Sequence, residues 1–118
     1  SAATANPKRA LFWRSGLTGQ AISANLQGLE DLYQAAGIER LLPETTTRFG
    51  QSALFEIENA RRTIATLNQP LAEAAANPVT HGSVNFLRIA ILSIRDTFSG
   101  RIAAGLGLSA GFSSLDGD

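Results

Sequence analysis

Apolar residues recur at helical spacing along three stretches of the chain, and this pattern constrains the fold more than any other feature. The three stripes are Ile22, Leu26, Leu29, Tyr33 and Ala36; Phe49, Ala53, Ile57, Ala60, Ile64 and Leu67; and Val84, Leu87, Ile91, Ile94, Phe98 and Ile102. Steps of three and four residues place each stripe on one face of a helix. No stretch alternates with period two for long enough to indicate a strand. The sequence therefore predicts an all-α fold, an antiparallel bundle of three long helices plus short helical segments.

The ends of the first two helices are predicted from residues that stop or cap a helix. Gly37 is a natural C-terminal stop for the first helix. A short segment, 38–42, follows and is closed by Pro43. The hydroxyls of "ETTT" (44–47) are of the type that caps the free N–H groups at a helix start. "NQP" (68–70) is predicted to end the second helix, and residues 71–76 to form a further short turn or two.

The third helix is predicted to begin at Asn77-Pro78, read as an N-cap followed by proline at the first helical position. It is predicted to end at the glycines at positions 105 and 107. The glycine-rich stretch from 105 to 111 follows a helix instead of leading into one, so we interpret it as a cap and turn and not as a phosphate-binding loop.

Composition excludes several classes of function. The 118 residues suit one domain, and we assign 1–10 to an extended or disordered arm and 11–118 to the helical bundle. Without cysteine, disulfides and cysteine metal sites are excluded. Ten basic and ten acidic residues balance, which argues against a nucleic-acid partner. Arg88 and Arg95 interrupt the longest apolar stretches, so no transmembrane segment is expected. No signal peptide is visible at the start of the sequence.

The sequence offers no catalytic residue and no metal ligand set. His81 is the only histidine, and Glu73 and Asp96, its nearest acidic neighbours, lie far off helical spacing. We therefore expect a solvated histidine in a first helical turn. No serine has the G-x-S-x-G context of a nucleophile elbow.

Two groups of residues remain as candidates for ligand binding or for an interface. Arg88 and Arg95 lie one heptad apart, and they form either the solvated side of the third helix or a row lining a cleft against a second domain. In "LFWRSGLT" (11–18), the only tryptophan, Trp13, is predicted to anchor a helix start. Arg14 beside it is a cation that an anionic group would contact, and Ser15 or Thr18 would cap the helix.

Two longer segments carry a resemblance to a known family. "FWRSGLTGQAISANLQGLEDLY" and, much later, "LGLSAGFSSLDGD" resemble the C-terminal portion of imelysin-like proteins, also called insulin-cleaving membrane proteases. The match runs from about Leu11 to Asp118, and the terminal "GFSSLDGD" is its most specific part. Ser113 stands where the family commonly has asparagine.

The resemblance implies the C-terminal domain of a longer, two-domain α-helical protein, iron-regulated and located in the periplasm or at the outer membrane. Its partner would be the N-terminal imelysin-like domain of the same protein, and a membrane anchor would also lie in the N-terminal part. The family's glycine–x–histidine–x–x–glutamate motif is not in this chain. A metal ion, iron or zinc, would thus be held elsewhere, and this chain alone is expected to be inactive. Three roles stay open: metal or ligand handling, half of a metallopeptidase, or a structural interaction module.

The chain end is predicted to pack against the bundle. Phe112 and Leu115 would fill apolar gaps, since burial of such side chains is favourable by about 1.5–3 kcal/mol each. Asp116 and Asp118 would then be held in place, either facing the domain interface or, for Asp116, capping a turn at Gly117.

Overall fold

The computed structural model describes residues 18–107, and these are helical with connecting turns and without strands. Four α-helices, α1 to α4, span Gly19–Ala35, Glu44–Ala65, Leu71–Ala76 and His81–Asp96. A 3₁₀ turn, Ile38–Leu41, joins α1 to α2, and a π-helical segment, Thr97–Ile102, continues α4 into helical residues 103–107. The all-α prediction is confirmed for this part of the chain. The predictions for 1–10, Trp13, Arg14, Ser15, Phe112, Leu115, Asp116 and Asp118 lie outside the described residues.

Helix α2 packs against both α1 and α4. Gly19 at the start of α1 lies against Ile64 at the end of α2, and Tyr33 near the end of α1 lies against Gly50. The two helices therefore run in opposite directions. At the α4 side, Ser93 Oγ donates to Glu56 Oε1 at 3.1 Å.

The chain after the π segment reaches the other end of α2. Gly105 lies against the side chains of Leu42, Pro43 and Thr46, just before and within the first turn of α2. The direction of α4 and its continuation is thus also opposite to that of α2.

The stripes predicted from the sequence supply the buried core. The main cluster contains Ile22, Leu26, Ile57, Ala60, Ile64, Leu71, Ala74, Val84, Leu87, Ala90 and Ile94. A second cluster near the C-terminal end of α1 contains Tyr33, Leu42 and Ile102. Two predicted stripe members, Ala36 and Phe49, are exposed. Phe49 lies at the edge of α2, where the guanidinium of Arg101 stacks on its ring at 3.9 Å.

Two helix starts differ from the prediction. Helix α2 begins at Glu44, directly after Pro43, and no side chain caps it. The threonines therefore lie inside its first turn, where Thr47 Oγ1 donates to the Pro43 carbonyl at 3.3 Å. Helix α4 begins at His81 and not at Pro78. Asn77 instead holds a turn, because its side-chain oxygen accepts from the Val79 N–H at 2.9 Å.

The third helix also differs from the continuous α-helix that was expected. Its hydrogen bonding changes to the i→i+5 pattern over Thr97–Ile102, and residues 103–107 return to α geometry, through Gly105. Such π turns often occur at functional sites. Here the segment places Thr97 and Ile102 in the core and Phe98 edge-on to Tyr33, with ring centroids 5.8 Å apart.

Candidate functional site

A pocket lies where α1 ends, the 3₁₀ turn follows and α2 begins. Its volume is about 480 Å³, and its lining residues are Tyr33, Gln34, Gly37, Glu39, Arg40, Thr47 and Leu54. Gly37 makes the shape possible, because its φ of 63° is in the left-handed region that glycine adopts without strain. The chain reverses there, and Glu39 and Arg40 come close to the end of α1. We call this the Tyr33 pocket.

The Tyr33 hydroxyl is buried without a hydrogen-bond partner. Tyr33 is 1% exposed, and its Oη is among the buried polar atoms that lack a partner. The hydroxyl lies directly over Gly50, so close that a Cβ at position 50 would overlap it. Thr47 and Leu54, one turn before and one turn after Gly50, both line the pocket. The hydroxyl is therefore at the pocket wall.

The surroundings keep this hydroxyl protonated. Burial raises the pKa of Tyr33 above its usual value of about 10, and the negative charge of Glu39 raises it further. One oxygen of Glu39, Oε1, accepts from Gln51 Nε2 at 2.7 Å, which fixes the carboxylate between the turn and α2. A neutral hydroxyl beside a carboxylate can accept from and donate to a ligand at the same time.

A second feature is an exposed apolar surface shared by α2 and α4. Phe55 on α2 is 66% exposed, and Phe86 and Ile89 on α4 are 46% and 53% exposed. Phe55 lies one turn before Asn59 on α2, and Asn59 lines a shallow groove of about 390 Å³ together with Phe86. We call the surface of Phe55, Phe86 and Ile89 the outer face.

The structure separates the two arginines that the sequence placed in one row. Arg88 is half-buried: its Nε is covered and lacks a partner, while its guanidinium donates to Asn85 Oδ1 at 3.2 Å. Arg95 is exposed and pairs with its neighbour Asp96 at 3.2 Å. An exposed pair of this kind adds little stability. The two side chains thus have different surroundings despite their heptad spacing.

His81 occupies the first turn of α4, as the sequence predicted, and is half-buried. Within residues 18–107, no three side chains of His, Cys, Asp or Glu come together in a way that would hold a metal ion.

Sequence reasoning missed both features for the same reason. It assigned Tyr33 only to the core stripe, although a tyrosine carries a hydroxyl that needs a partner when buried. Nothing in the local sequence indicates that Gly50 and Thr47, more than a dozen residues away, meet that hydroxyl. For the outer face a signal did exist, because Phe55, Phe86 and Ile89 are apolar residues at positions outside the three stripes.

No helix within residues 18–107 combines the length and apolar character needed to cross a membrane. Comparison with protein-family models finds no match to this chain, and comparisons with curated proteins and with solved structures find none either.

Proposed function

We propose that this chain is the C-terminal helical domain of an imelysin-like, iron-regulated protein of the periplasm or outer membrane. In this proposal the three long helices form an antiparallel bundle, and the bundle packs against an N-terminal domain of the same protein. The two domains together form a metal or ligand site at their interface. The family part of the proposal is supported by the sequence segments at the two ends of the chain.

The observation that carries the interface is the outer face. Three large apolar side chains, Phe55, Phe86 and Ile89, are about half exposed or more on adjacent helices. Contiguous exposed apolar residues with a polar surround are typical of surfaces that bind another protein. Arg62, Glu58 and Asn59 provide such a surround, since Arg62 donates to both Glu58 and Asn59 beside the groove.

The proposed occupant of the outer face is a helical domain and not a flexible peptide. The outer face runs along two antiparallel helices, so a partner helix can lie along both and bury all three apolar side chains. The metal ion, iron or zinc, is proposed to be held by the histidine–glutamate motif of the N-terminal domain. A purely structural role uses the same surface without a metal, and it is the alternative that the outer face also supports.

The test is to produce the N-terminal segment of the longer protein separately and to measure its binding to this chain by calorimetry. We expect Phe55→Glu to weaken binding at least about tenfold, because a charge would be buried in the interface. Leu32→Glu is the matched control, since Leu32 on α1 is also a large apolar residue, 58% exposed, and lies outside the outer face. We expect it to bind like the wild type.

Equal binding by Phe55→Glu and the wild type would exclude the outer face as the interface. Iron and zinc titrations of the mixed domains then separate the two roles. Metal binding that needs both domains supports a shared site, and a complex that binds no metal supports the structural role. Circular dichroism of each variant checks that the helical fold is retained.

A further inference from the structure

We propose that the Tyr33 pocket binds a small zwitterion, of the size of a free amino acid or a dipeptide, with the ligand's ammonium group at Tyr33 and Glu39 and its carboxylate at Arg40. This site lies at the α1–α2 junction, away from the outer face. The proposal is therefore independent of the domain interface.

The unpaired hydroxyl is the first argument for a ligand. Leaving a buried hydroxyl without a partner costs about 1–3 kcal/mol. A phenylalanine would fill the same space and make the same edge-on contact with Phe98 without that cost. Tyr33 nevertheless keeps its Oη at the wall of the pocket, where a ligand atom can pair with it.

The second argument is the negative character of one side of the pocket. Gln34 and Gly37 belong to the C-terminal end of α1, which carries the partial negative charge of the helix dipole. The last turn of α1 contains no basic residue to offset that charge. Glu39 adds a full negative charge, and its Oε2 has no hydrogen-bond partner within residues 18–107. An ammonium group can donate to Glu39 Oε2 and to Tyr33 Oη together.

The third argument is the positive character of the opposite side. Arg40 follows Gly37 around the turn, with its Cδ close to Gly37, and its guanidinium makes no hydrogen bond or ion pair with the described residues. Thr47 lies in the first turn of α2, at the positive end of that helix, and no side chain caps α2 there. Both features favour a carboxylate.

The size and lining of the pocket set the size of the ligand. A volume of about 480 Å³ is at the small end of the usual range for small-molecule sites, about 300–1,000 Å³. Leu54 provides an apolar wall for a ligand side chain. The separation of charge between α1 and α2 selects a molecule with both charges over one that has either alone.

The test is a two-dimensional NMR titration of the full chain with L-leucine, with the backbone amides of Gly37 and Thr47 as reporters. L-leucinamide lacks the carboxylate, and N-acetyl-L-leucine lacks the ammonium group. We expect leucine to shift both amides and each derivative to bind at least about tenfold more weakly, since each loses a charge-assisted hydrogen bond. Glycyl-leucine tests whether a dipeptide fits.

The key variant is Tyr33→Phe, because ligand binding and structural support predict opposite effects on its stability. We expect leucine to bind at least about tenfold more weakly while the urea midpoint stays the same or rises, since an unpaired buried hydroxyl is removed. Glu39→Gln is expected to weaken leucine and leucinamide but not N-acetyl-leucine. Unchanged leucine binding in Tyr33→Phe, equal binding of leucine and N-acetyl-leucine, or no binding of leucine or glycyl-leucine would each overturn the proposal.

Discussion

Gly50 and Tyr33 show how one residue without a side chain decides what a distant residue can do. Gly50 is buried in α2, where glycine weakens a helix, yet its missing Cβ makes the space that the Tyr33 hydroxyl occupies. By contrast, Gly28 lies in the interior of α1 with nothing within 4 Å of the position a Cβ would take. The two glycines are thus a natural pair for comparison.

We predict that Gly50→Ala lowers the free energy of unfolding by about 1–3 kcal/mol, the usual cost of overpacking a core. Gly28→Ala is the control and should raise the free energy of unfolding by about 0.5–1 kcal/mol, because alanine favours helix more strongly than glycine. Urea unfolding followed by circular dichroism measures both. A Gly50→Ala protein as stable as Gly28→Ala would contradict the close approach of Tyr33 to Gly50.

We predict that Tyr33 ionises above pH 10 in the folded protein, because burial and Glu39 disfavour the phenolate. Tyr33 is the only tyrosine, so the near-ultraviolet absorbance of tyrosinate reports it alone. The unfolded chain loses this proton at about pH 10 while the folded chain keeps it, so the free energy of unfolding falls as the pH rises above 10. The same titration in urea is the control, and coinciding midpoints would refute the burial of this hydroxyl.

At the scale of the elements, apolar periodicity predicted where the helices are, but not how they start. The stripe positions are spaced by backbone geometry alone, so Ile57, Leu87 and their neighbours were assigned correctly to the core. Caps depend on which of several competing residues takes the N-cap position. At "PETTT" the helix begins directly after Pro43, whose restricted φ suits a helix entry, and the hydroxyls are left inside.

We predict that Thr18→Ala destabilises the protein by about 1 kcal/mol, since Thr18 Oγ1 accepts from the Ala21 N–H at 3.0 Å and caps α1. Thr45→Ala is the matched control. Thr45 is exposed within the first turn of α2 and caps nothing, so its replacement should change stability by only a few tenths of a kcal/mol. Urea midpoints decide this, and a larger loss from Thr45→Ala would restore the original assignment of the threonines as caps.

For the molecule as a whole, the sequence predicted the fold class but not the candidate site. An all-helical fold follows from local spacing, which is written into consecutive residues. The Tyr33 pocket depends on contacts between Tyr33 and Gly50 and between Glu39 and Gln51, which form only when α1 and α2 pack together. The outer face depends on which helix sides remain uncovered after that packing, and no single segment contains this information.

The chain end is tested at the same scale. We predict that Phe112 and Leu115 pack in the native protein, so that Phe112→Ala lowers the free energy of unfolding by about 3–5 kcal/mol. Asp118→Asn should leave stability nearly unchanged. A chain ending at Ala110 should unfold at a lower urea concentration with a similar slope. Equal midpoints for the truncated and complete chains would show that the terminal residues add nothing to the fold.

The π-helical segment, Thr97–Ile102, has a consequence for how this protein can evolve in length. An i→i+5 turn takes up one more residue than an α turn while the helix on either side keeps its packing. Loss of one residue there can be absorbed by a return to α geometry. The same loss within α2 would rotate every later side chain by about 100° and move the stripe out of the core. Among the helices of residues 18–107, insertions and deletions are therefore best tolerated at this segment, and homologous chains that differ in length by one residue are expected to differ here.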